Sequence, residues 1–412
     1  MPRSEVQVAI VGGGAAGIAA ARRLSEAGID ALILEARARL GGRAWTRLDS
    51  DGFALDMGCG WLHSADRNPW LAIAEAQGRT IDQRPPPWQR PAPPIGASPE
   101  DMRDFQTALF RLRETTDALP EGEPDRPASA FLEPGGRWNP LIDAVSTYYS
   151  GAELEFVSSR DLARYEDSGV NWRIFEGYGT VVAAHGAALQ VELDCEVTRI
   201  DHRGKRLRLE TSRGAVEAAA AIVTLPSNVI AQRDDLFLPA LPEKSAAAAG
   251  LPLGLVDKLF LSLKGAEEFE PDSRAFGATD RAGTGAYQFR PFGRPTIEVY
   301  YGGALAAELE AGGKSAFFDF AARELTGLLG ADFARRIGLR EMHLWGADPF
   351  ARGSYSYARP DKADNRAALA SPVDGRLFFA GEACSKASFS TAHGAYQTGI
   401  AAADEAIAAL GS

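Results

Sequence analysis

The sequence has few of the residues that bind metals or form disulfides. Its 412 residues include only five histidines and three cysteines, and Cys59, Cys195 and Cys384 lie far apart along the chain. No pair of cysteines has the spacing of a metal or redox motif, and the histidines form no closely spaced cluster. We therefore expect no metal site, and the odd number of cysteines predicts a reducing, cytoplasmic location.

Long apolar runs and an excess of positive charge are also missing. No stretch of about 20 apolar residues occurs, which argues against a membrane-spanning helix. Gly12, Gly13 and Gly14 interrupt the apolar run near the N-terminus, so we expect no signal peptide. With 44 basic and 55 acidic residues the formal net charge is −11, which argues against a nucleic-acid-binding protein. The length allows two or three domains.

The first fifty residues carry a pattern typical of dinucleotide-binding units. A short β-type run leads into a G-x-G-x-x-G motif made by Gly12, Gly14 and Gly17, and a helical stretch of small residues follows. Gly12 permits the turn, Gly14 lets the backbone approach a pyrophosphate, and Gly17 allows the helix to pack closely on the strand. A second strand ends at Glu35, about 20 residues further on, where an acid accepts hydrogen bonds from ribose.

The start of the helix completes this predicted phosphate site. Ala15 and Ala16 lie in its first turn, where free N–H groups and the positive end of the helix dipole favour phosphate. This unit alone leaves NAD and FAD open as cofactors.

The residues that follow resemble a known family motif, and this resemblance distinguishes between NAD and FAD. Residues 35–43 are EARARLGGR, which resembles the E-A-R-x-R-x-G-G-R signature of the flavin-containing amine oxidases, the family of monoamine and polyamine oxidases. The resemblance implies that Ala36, Arg37 and Gly42 contact the cofactor together with Glu35. It also implies that Arg43 places its guanidinium on the pyrophosphate.

Two later segments extend the resemblance. Residues 375–382 (GRLFFAGE) and 390–399 (STAHGAYQTG) are similar to a strand and a helix start of the same family. The similarity implies that Gly381 and Glu382 hold the ribityl phosphate, and that the helix N-terminus at Thr391 and Ala392 stabilises negative charge on the flavin. In the family's mid-chain strand, the position of Val197 contacts adenine through its backbone. We therefore expect FAD as the cofactor.

The resemblance also implies the fold. We expect an α/β protein with a two-domain arrangement, in which a Rossmann-type, glutathione reductase-like FAD-binding domain carries an inserted α+β substrate domain. The FAD-binding domain would comprise residues 1–84, 172–249 and 346–412. The substrate domain would comprise residues 85–171 and 250–345, and its proline-rich start, residues 85–99, predicts an irregular connector.

A glycine-rich turn predicts part of the flavin environment. Residues 55–63, LDMGCGWLH, resemble a segment of the polyamine oxidases that runs past the flavin edge. The resemblance implies that Gly60, Trp61 and Leu62 contact the cofactor, and that His63 lies at the substrate channel, where it orients the amine or relays protons. The chain departs from the family pattern at Cys59, where the family prefers alanine.

Further catalytic candidates come from three other segments. Lys258 lies inside an apolar strand, where burial of an ammonium is costly, and the family places a lysine here that is bonded through water to flavin N5. Trp345 begins a segment similar to one that reaches the flavin in the family. Monoamine oxidases carry a flavin-linked cysteine at the position of Ser354, so serine predicts non-covalent FAD. Tyr355 and Tyr396 match the two aromatic positions that enclose the amine.

These features predict an FAD-dependent amine oxidase. Hydride would pass from the α-carbon of a primary or secondary amine, possibly a polyamine, to flavin N5, and O2 would be reduced to hydrogen peroxide. We expect a monomer or homodimer that has no nucleic-acid or membrane partner. Three alternatives stay open: a carbon–carbon desaturase, a non-catalytic flavin scaffold, and an L-amino-acid oxidase with Arg173 or Arg290 as carboxylate clamp.

Overall fold

A computed structural model describes residues 4–120 and 122–411. The strands, in chain order, are β1 Glu5–Val11, β2 Ala31–Leu34, β3 Thr46–Leu48, β4 Ala54–Asp56, β5 Ile81–Asp82, β6 Arg173–Ile174, β7 Val191–Glu192, β8 Val197–Asp201, β9 Leu207–Thr211, β10 Gly214–Val223, β11 Phe237–Leu238, β12 Val256–Leu263, β13 Ser273–Phe276, β14 Ala286–Phe289, β15 Thr296–Gly302, β16 Ile337–Met342 and β17 Leu377–Phe379. The helices are α1 Ala15–Glu26, α2 Pro69–Ala76, α3 Pro99–Asp117, α4 Asn139–Ser150, α5 Ser159–Ala163, α6 Tyr178–Gly186, α7 Ser227–Ala231, α8 Pro242–Ala249, α9 Gly303–Ala311, α10 Gly313–Leu329, α11 Asn365–Ala370 and α12 Ala392–Gly411.

The first sheet has the strand order β11-β8-β9-β10-β1-β2-β7, and β17 also pairs with β10. β1 runs parallel to both β2 and β10, and β17 runs parallel to β10. Both faces of β1 are covered, because Val8 and Ile10 pack in one apolar cluster with α1 and α12, while Ala9 and Val11 pack in another. A strand buried on both faces explains the continuous apolar run in the sequence.

The second sheet is antiparallel, in the order β13-β14-β15-β12-β16. One face carries Leu259, Val299 and Tyr301, which pack against α9 and α10. Side chains alternate between the faces of a strand, so Lys258 and its cross-strand partner Tyr300 point to the other face. That face is turned toward α3 and α4.

The predicted α/β fold is confirmed, with differences in detail. The first sheet takes its strands from residues 5–34, 191–238 and 377–379, and the second from residues 256–342. The mid-chain strand that carries Val197 is β8, which begins at that residue, and the proline-rich segment contains one 3-10 turn, Pro87–Gln89. The helix that follows this segment, α3, begins at Pro99, because Ser98 caps it by accepting a hydrogen bond from the N–H of Asp101. The domain bounds given above stay our proposal.

Candidate active site

A cavity of about 910 Å3 extends from the glycine-rich turn after β1 to the second sheet. Its two ends differ in chemistry. Glycines, Glu35 and Arg43 line the end near β1, whereas aromatic and apolar side chains of α3, α4 and β13–β15 line the other end. Such a cavity has room for a large cofactor and a small substrate side by side.

The glycines after β1 form a cradle with one open side. Gly12 has φ +105, and a Cβ placed there would lie 2.7 Å from Thr224 Oγ1. A Cβ on Gly17 would lie 2.0 Å from the carbonyl oxygen of Gly12, so only glycine permits this approach of α1 to the turn. The position of Gly14 is open, since its nearest neighbour would be Gly42 Cα at 4.0 Å. A ligand can therefore contact the backbone of Gly14 directly.

The carboxylate of Glu35 is fixed beside this cradle. It is 3% exposed, and it accepts hydrogen bonds from the backbone N–H groups of Gly13 at 2.6 Å and Arg37 at 2.8 Å. Arg37 is held in turn by Asp348, with 2.7 Å between Nη2 and Oδ1. Glu35 lines the cavity with lone pairs left for the two hydroxyls of a ribose. Ala36 and Val197 line the same end.

A partly buried ion pair links the early and late parts of the chain. Arg43 Nη1 lies 2.8 Å from Glu382 Oε1 and also donates to the carbonyl oxygen of Ser354 at 2.6 Å. Glu382 accepts further hydrogen bonds from Ser356 Oγ at 2.6 Å and from the N–H of Ser390 at 3.0 Å. Burial raises the pKa of Glu382, but Arg43 and the Ser356 hydroxyl outweigh it and lower the pKa below its ordinary value. The pair holds the loop after β17 against the cradle.

The N-terminus of α12 reaches the same cavity. Thr391 and Ala392 line it, and the Thr391 hydroxyl accepts a hydrogen bond from the N–H of Gly394 at 2.9 Å. The first N–H groups of a helix have no partner within the helix, and the helix dipole places positive potential there. This end of α12 therefore favours negative charge in the cavity.

Lys258 lies where the two ends of the cavity meet. Its side chain is 8% exposed, and Nζ lies 3.1 Å from Glu298 Oε1 and donates to the carbonyl oxygen of Asp56 at 3.1 Å. Burial lowers the pKa of Lys258, but Tyr300, Glu298 and Asp56 together outweigh this and raise the pKa above its ordinary value. The sequence suggested a partly desolvated lysine, and the structure adds a carboxylate partner that keeps it protonated.

Trp345, Gly60 and Tyr355 line the same cavity as this lysine. Trp345 Nε1 donates to the carbonyl oxygen of Met57 at 2.9 Å, which fixes the indole. A Cβ on Gly60 would lie 3.1 Å from Lys258 Nζ, so glycine leaves room for the ammonium. The hydroxyl of Tyr355 donates to the carbonyl oxygen of Tyr148, and burial raises its pKa.

A comparison with known proteins identifies the family. A family model described as flavin containing amine oxidoreductase matches residues 15–407. The chain belongs to this family. Polyamine oxidase 4 of Oryza sativa subsp. japonica is 29% identical over 437 residues, covering 98% of this chain and 88% of that protein. Polyamine oxidase 2 of Arabidopsis thaliana is 28% identical, covering 97% and 87%. The fold is shared with wild-type putrescine oxidase bound to putrescine, with a TM-score of 0.77, 17% identity and coverage of 99% and 100%.

FAD is the cofactor of this flavin amine oxidase family, and the residues present fit it. The open backbone at Gly14 suits a pyrophosphate, and Glu35 suits the ribose. Gly381, at φ +137, has no atom within 4 Å of a Cβ built on it, and it lies beside Arg43 and the N-terminus of α12 on the cavity wall. These groups come from three separate segments of the chain, in the order that the sequence motifs predicted.

His63 also lines the cavity, and so does its neighbour Asn171. Its Nδ1 lies 2.6 Å from Asn171 Oδ1. Because an amide oxygen accepts, Nδ1 carries the proton, and Nε2 keeps a free lone pair. Burial lowers the pKa of His63, so the ring is neutral at neutral pH.

Three predicted site residues do not line the cavity. Gly17 is one of them, because it packs against the carbonyl oxygen of Gly12. Tyr396 does not line the cavity; its ring contacts Trp70, with centroids 5.2 Å apart. Ala395 does line it, and one residue along a helix turns the side chain by about 100°, so Tyr396 faces α2 instead. Leu62 is fully buried in the core, because it pairs with Trp172 through backbone hydrogen bonds. The tyrosine pair expected around an amine is therefore not formed by Tyr355 with Tyr396.

The structure adds cavity residues that the motifs did not reveal. Trp88, from the proline-rich segment, lines the cavity and packs edge-on against Trp61, with centroids 4.6 Å apart. Arg274 lines the substrate end, whereas Arg173 is held by Asp272 and Asp82 at 2.8 and 3.0 Å. Arg290 donates to the carbonyl oxygen of Phe269. Lone tryptophans and arginines outside motifs give no sequence signal of this kind.

Metal-binding groups and membrane-spanning helices are both absent from the described residues. Within residues 4–120 and 122–411, no group of three or more histidine, cysteine or acidic side chains is arranged to hold a metal ion. Over the same ranges, none of the helices is long and apolar enough to span a bilayer.

Proposed function

We propose that this protein is an FAD-dependent amine oxidase that removes hydride from the carbon next to an amine nitrogen. One observation carries the proposal: Lys258, buried and paired with Glu298, lines a cavity that joins the dinucleotide cradle to an aromatic pocket. FAD, held by the cradle and the N-terminus of α12, would supply the hydride acceptor, with O2 as the proposed final electron acceptor and hydrogen peroxide as the product.

The protein residues bind, orient and exchange protons around this reaction. The faces of Tyr355 and Trp345 form walls that attract an amine and align its α-carbon. An ammonium must lose a proton before its α-carbon gives up hydride, and Nε2 of neutral His63 is a base at the cavity wall. Loss of this proton and of hydride leaves a protonated imine, which water hydrolyses to an aldehyde and an ammonium ion or a smaller protonated amine.

Lys258 acts in this scheme as a protonated group beside the reacting centre. Its pairing with Glu298 keeps Nζ charged in a buried site. A fixed ammonium can hold a water molecule by hydrogen bonding and stabilise negative charge that develops during oxygen reduction.

FAD is held without a covalent bond in this proposal. The Ser354 hydroxyl donates to the carbonyl oxygen of Val256 at 2.7 Å and accepts from its N–H at 2.8 Å, and serine has no thiol to form a thioether. Acid precipitation of the purified protein should release all of its FAD into the supernatant. Flavin that stays with the protein pellet would show a covalent link.

The direct test is the visible spectrum under anaerobic conditions, with alkylamines, polyamines and amino acids added in turn. Bleaching of the flavin bands by one class of amine, with hydrogen peroxide produced on admitting O2, is the expected result. A flavin spectrum that no amine bleaches would contradict the proposal and favour the desaturase or scaffold function.

A further inference from the structure

Arg274 shares one face of the second sheet with Lys258. In β12, β15, β14 and β13, the residues Lys258, Tyr300, Ala286 and Phe276 are paired in succession. Arg274 is two residues from Phe276 on β13, and side chains two residues apart point to the same face. Arg274 therefore points toward the cavity that Lys258 lines, three strands away from it.

Arg274 has no counter-ion in the described parts of the chain, residues 4–120 and 122–411. Its Nη2 makes a contact of 3.8 Å with the sulfur of Met102, which is a weak acceptor. Its Nε is buried and has no hydrogen-bond partner. Burial lowers the pKa of Arg274, and only Tyr149 opposes this effect.

The surroundings of Arg274 make this lack of a partner unusual. Met102 and Phe105 on α3 and Phe276 on its own strand belong to an apolar cluster, so solvation by neighbouring groups is poor. Lys258, a buried cation on the same face, has Glu298 at 3.1 Å. Arg274 is partly buried and its Nε is shielded from water, and a shielded charge is costly unless it is paired. Guanidinium donors match a carboxylate in a bidentate geometry.

We infer that Arg274 binds a carboxylate at the far end of the substrate, so that the substrate is an amine bearing a distal carboxylate. The inference rests on the proposed function and names its substrate class. One guanidinium balances one negative charge, which fits a carboxylate better than a doubly charged phosphate. The amine end lies toward Lys258 and Tyr355, where oxidation is proposed.

The sheet geometry limits the length of such a substrate. Neighbouring strands lie about 4.8 Å apart, and Arg274 is offset by two residues along β13, so roughly 16 Å separates the backbones at Lys258 and Arg274. The carboxylate of an α-amino acid lies next to its oxidised carbon and does not span this distance. The inference therefore differs from an L-amino-acid oxidase, and it disfavours a polyamine, whose distal ammonium would approach Arg274 with like charge.

Three matched series of amines test the substrate class on the holoenzyme. They are ω-amino carboxylates of graded chain length, the corresponding ω-amino primary amides, and the corresponding α,ω-diamines. Anaerobic flavin reduction gives the rate and the apparent dissociation constant for each compound. At the best length, the carboxylate should bind on the order of 10- to 100-fold more tightly than its amide.

Variants assign this preference to Arg274. Arg274→Gln should remove the preference for the carboxylate and leave reduction by the amide nearly unchanged, while Arg274→Lys should restore part of it. Arg113→Gln is the matched control, because Arg113 lines the same cavity but is exposed and lies over the ring of Tyr149. Alkyl carboxylates without an amine should inhibit the wild type competitively, which tests the site without any variant.

The outcomes separate the two proposals. If amides or diamines reduce the flavin as well as the carboxylates do, and Arg274→Gln changes nothing, the role of Arg274 is overturned while the amine oxidase function stands. If no compound in any series reduces the flavin, the proposed function itself fails, and the substrate class fails with it.

Discussion

At the scale of single residues, the buried charges near the cofactor cradle are paired, whereas the partly buried Arg274 at the substrate end has no counter-ion among residues 4–120 and 122–411. Glu382 has Arg43, and Lys258 has Glu298. Because a buried ion needs its partner, these side chains are held in place before any ligand arrives. Arg274 lacks such a partner, which is why we assign it to the substrate.

The Lys258→Met variant tests the role of the buried lysine. We expect it to bind FAD, since Lys258 does not touch the glycine cradle, and to slow flavin reduction or reoxidation about 100-fold, the scale of a lost proton-transfer group. Stopped-flow spectroscopy of both half-reactions measures the effect. Lys264→Met is the control, because Lys264 is an exposed residue just beyond β12. Unchanged rates in both half-reactions would remove Lys258 from the mechanism.

The His393→Gln variant tests how acid affects the fold. Burial, followed by the positive charge of His63, lowers the pKa of His393 from 6.5 to about 4. The unfolded chain therefore takes up a proton between those pH values before the folded protein does, so the stability present above pH 6.5 is lost as pH falls toward 4. The difference between the pKa of His393 in the unfolded and folded states corresponds to at most about 3 kcal/mol in the free energy of unfolding.

Urea unfolding of both proteins between neutral pH and pH 4 measures this contribution. Glutamine does not titrate and keeps an acceptor for Asn68, so the variant should lose less stability than the wild type over this range. Parallel pH profiles of the two proteins would show that His393 does not contribute.

At the scale of elements, α1 and α12 cross closely because both carry small residues. A Cβ on Gly399 would lie 2.2 Å from the carbonyl oxygen of Ala16. Both helices present their N-terminal ends to the cavity through Ala16 and Ala392. Their contact therefore fixes the relative positions of the two helix dipoles at the cavity, where we propose that FAD binds.

The Gly399→Ala variant should disturb this helix pair. The added methyl group forces the backbones apart, and we expect a loss of about 1–3 kcal/mol in the free energy of unfolding, with weaker FAD binding. Gly327→Ala on α10 is the control, because a Cβ there meets nothing within 4 Å. It should gain up to about 1 kcal/mol from helix propensity. Chemical denaturation and FAD titration compare the two, and a stabilised Gly399→Ala protein would contradict this packing.

At the scale of the whole molecule, the cofactor cavity is a junction of distant parts of the chain. Its walls combine residues of the first fifty positions, of the β8–β10 region, of the second sheet and of the C-terminal helix. A ligand that contacts all of them stabilises the folded state but not the unfolded chain.

Removal of FAD should therefore lower the melting temperature of the entire protein. At free FAD about 1,000-fold above its dissociation constant, binding adds about 4 kcal/mol to the free energy of unfolding. Differential scanning fluorimetry of the apoprotein, titrated with FAD, measures the shift in melting temperature. A parallel titration with AMP, which fills only part of the site, provides the comparison. Equal melting temperatures with and without FAD would argue against a cofactor held by several segments.

The sequence by itself determined the cofactor half of this protein. The glycine turn, the first helix and Glu35 lie within about 35 consecutive residues, so local geometry places them once β1, α1 and β2 form. The C-terminal strand and helix start are equally local. The family, FAD and the two-domain fold class followed from such contiguous motifs.

Only the tertiary structure decided the substrate half. Lys258 meets Glu298 and shares a face with Arg274 because β12, β15, β14 and β13 pair across the sheet, and strand register is set by non-local packing. Tyr396 faces away from the cavity because the packing of α12 against α1 and α2 fixes which side of the helix looks inward. A phosphate-binding turn is built from neighbouring residues and is therefore visible as a short sequence motif. Contacts between residues distant in sequence produce no such motif.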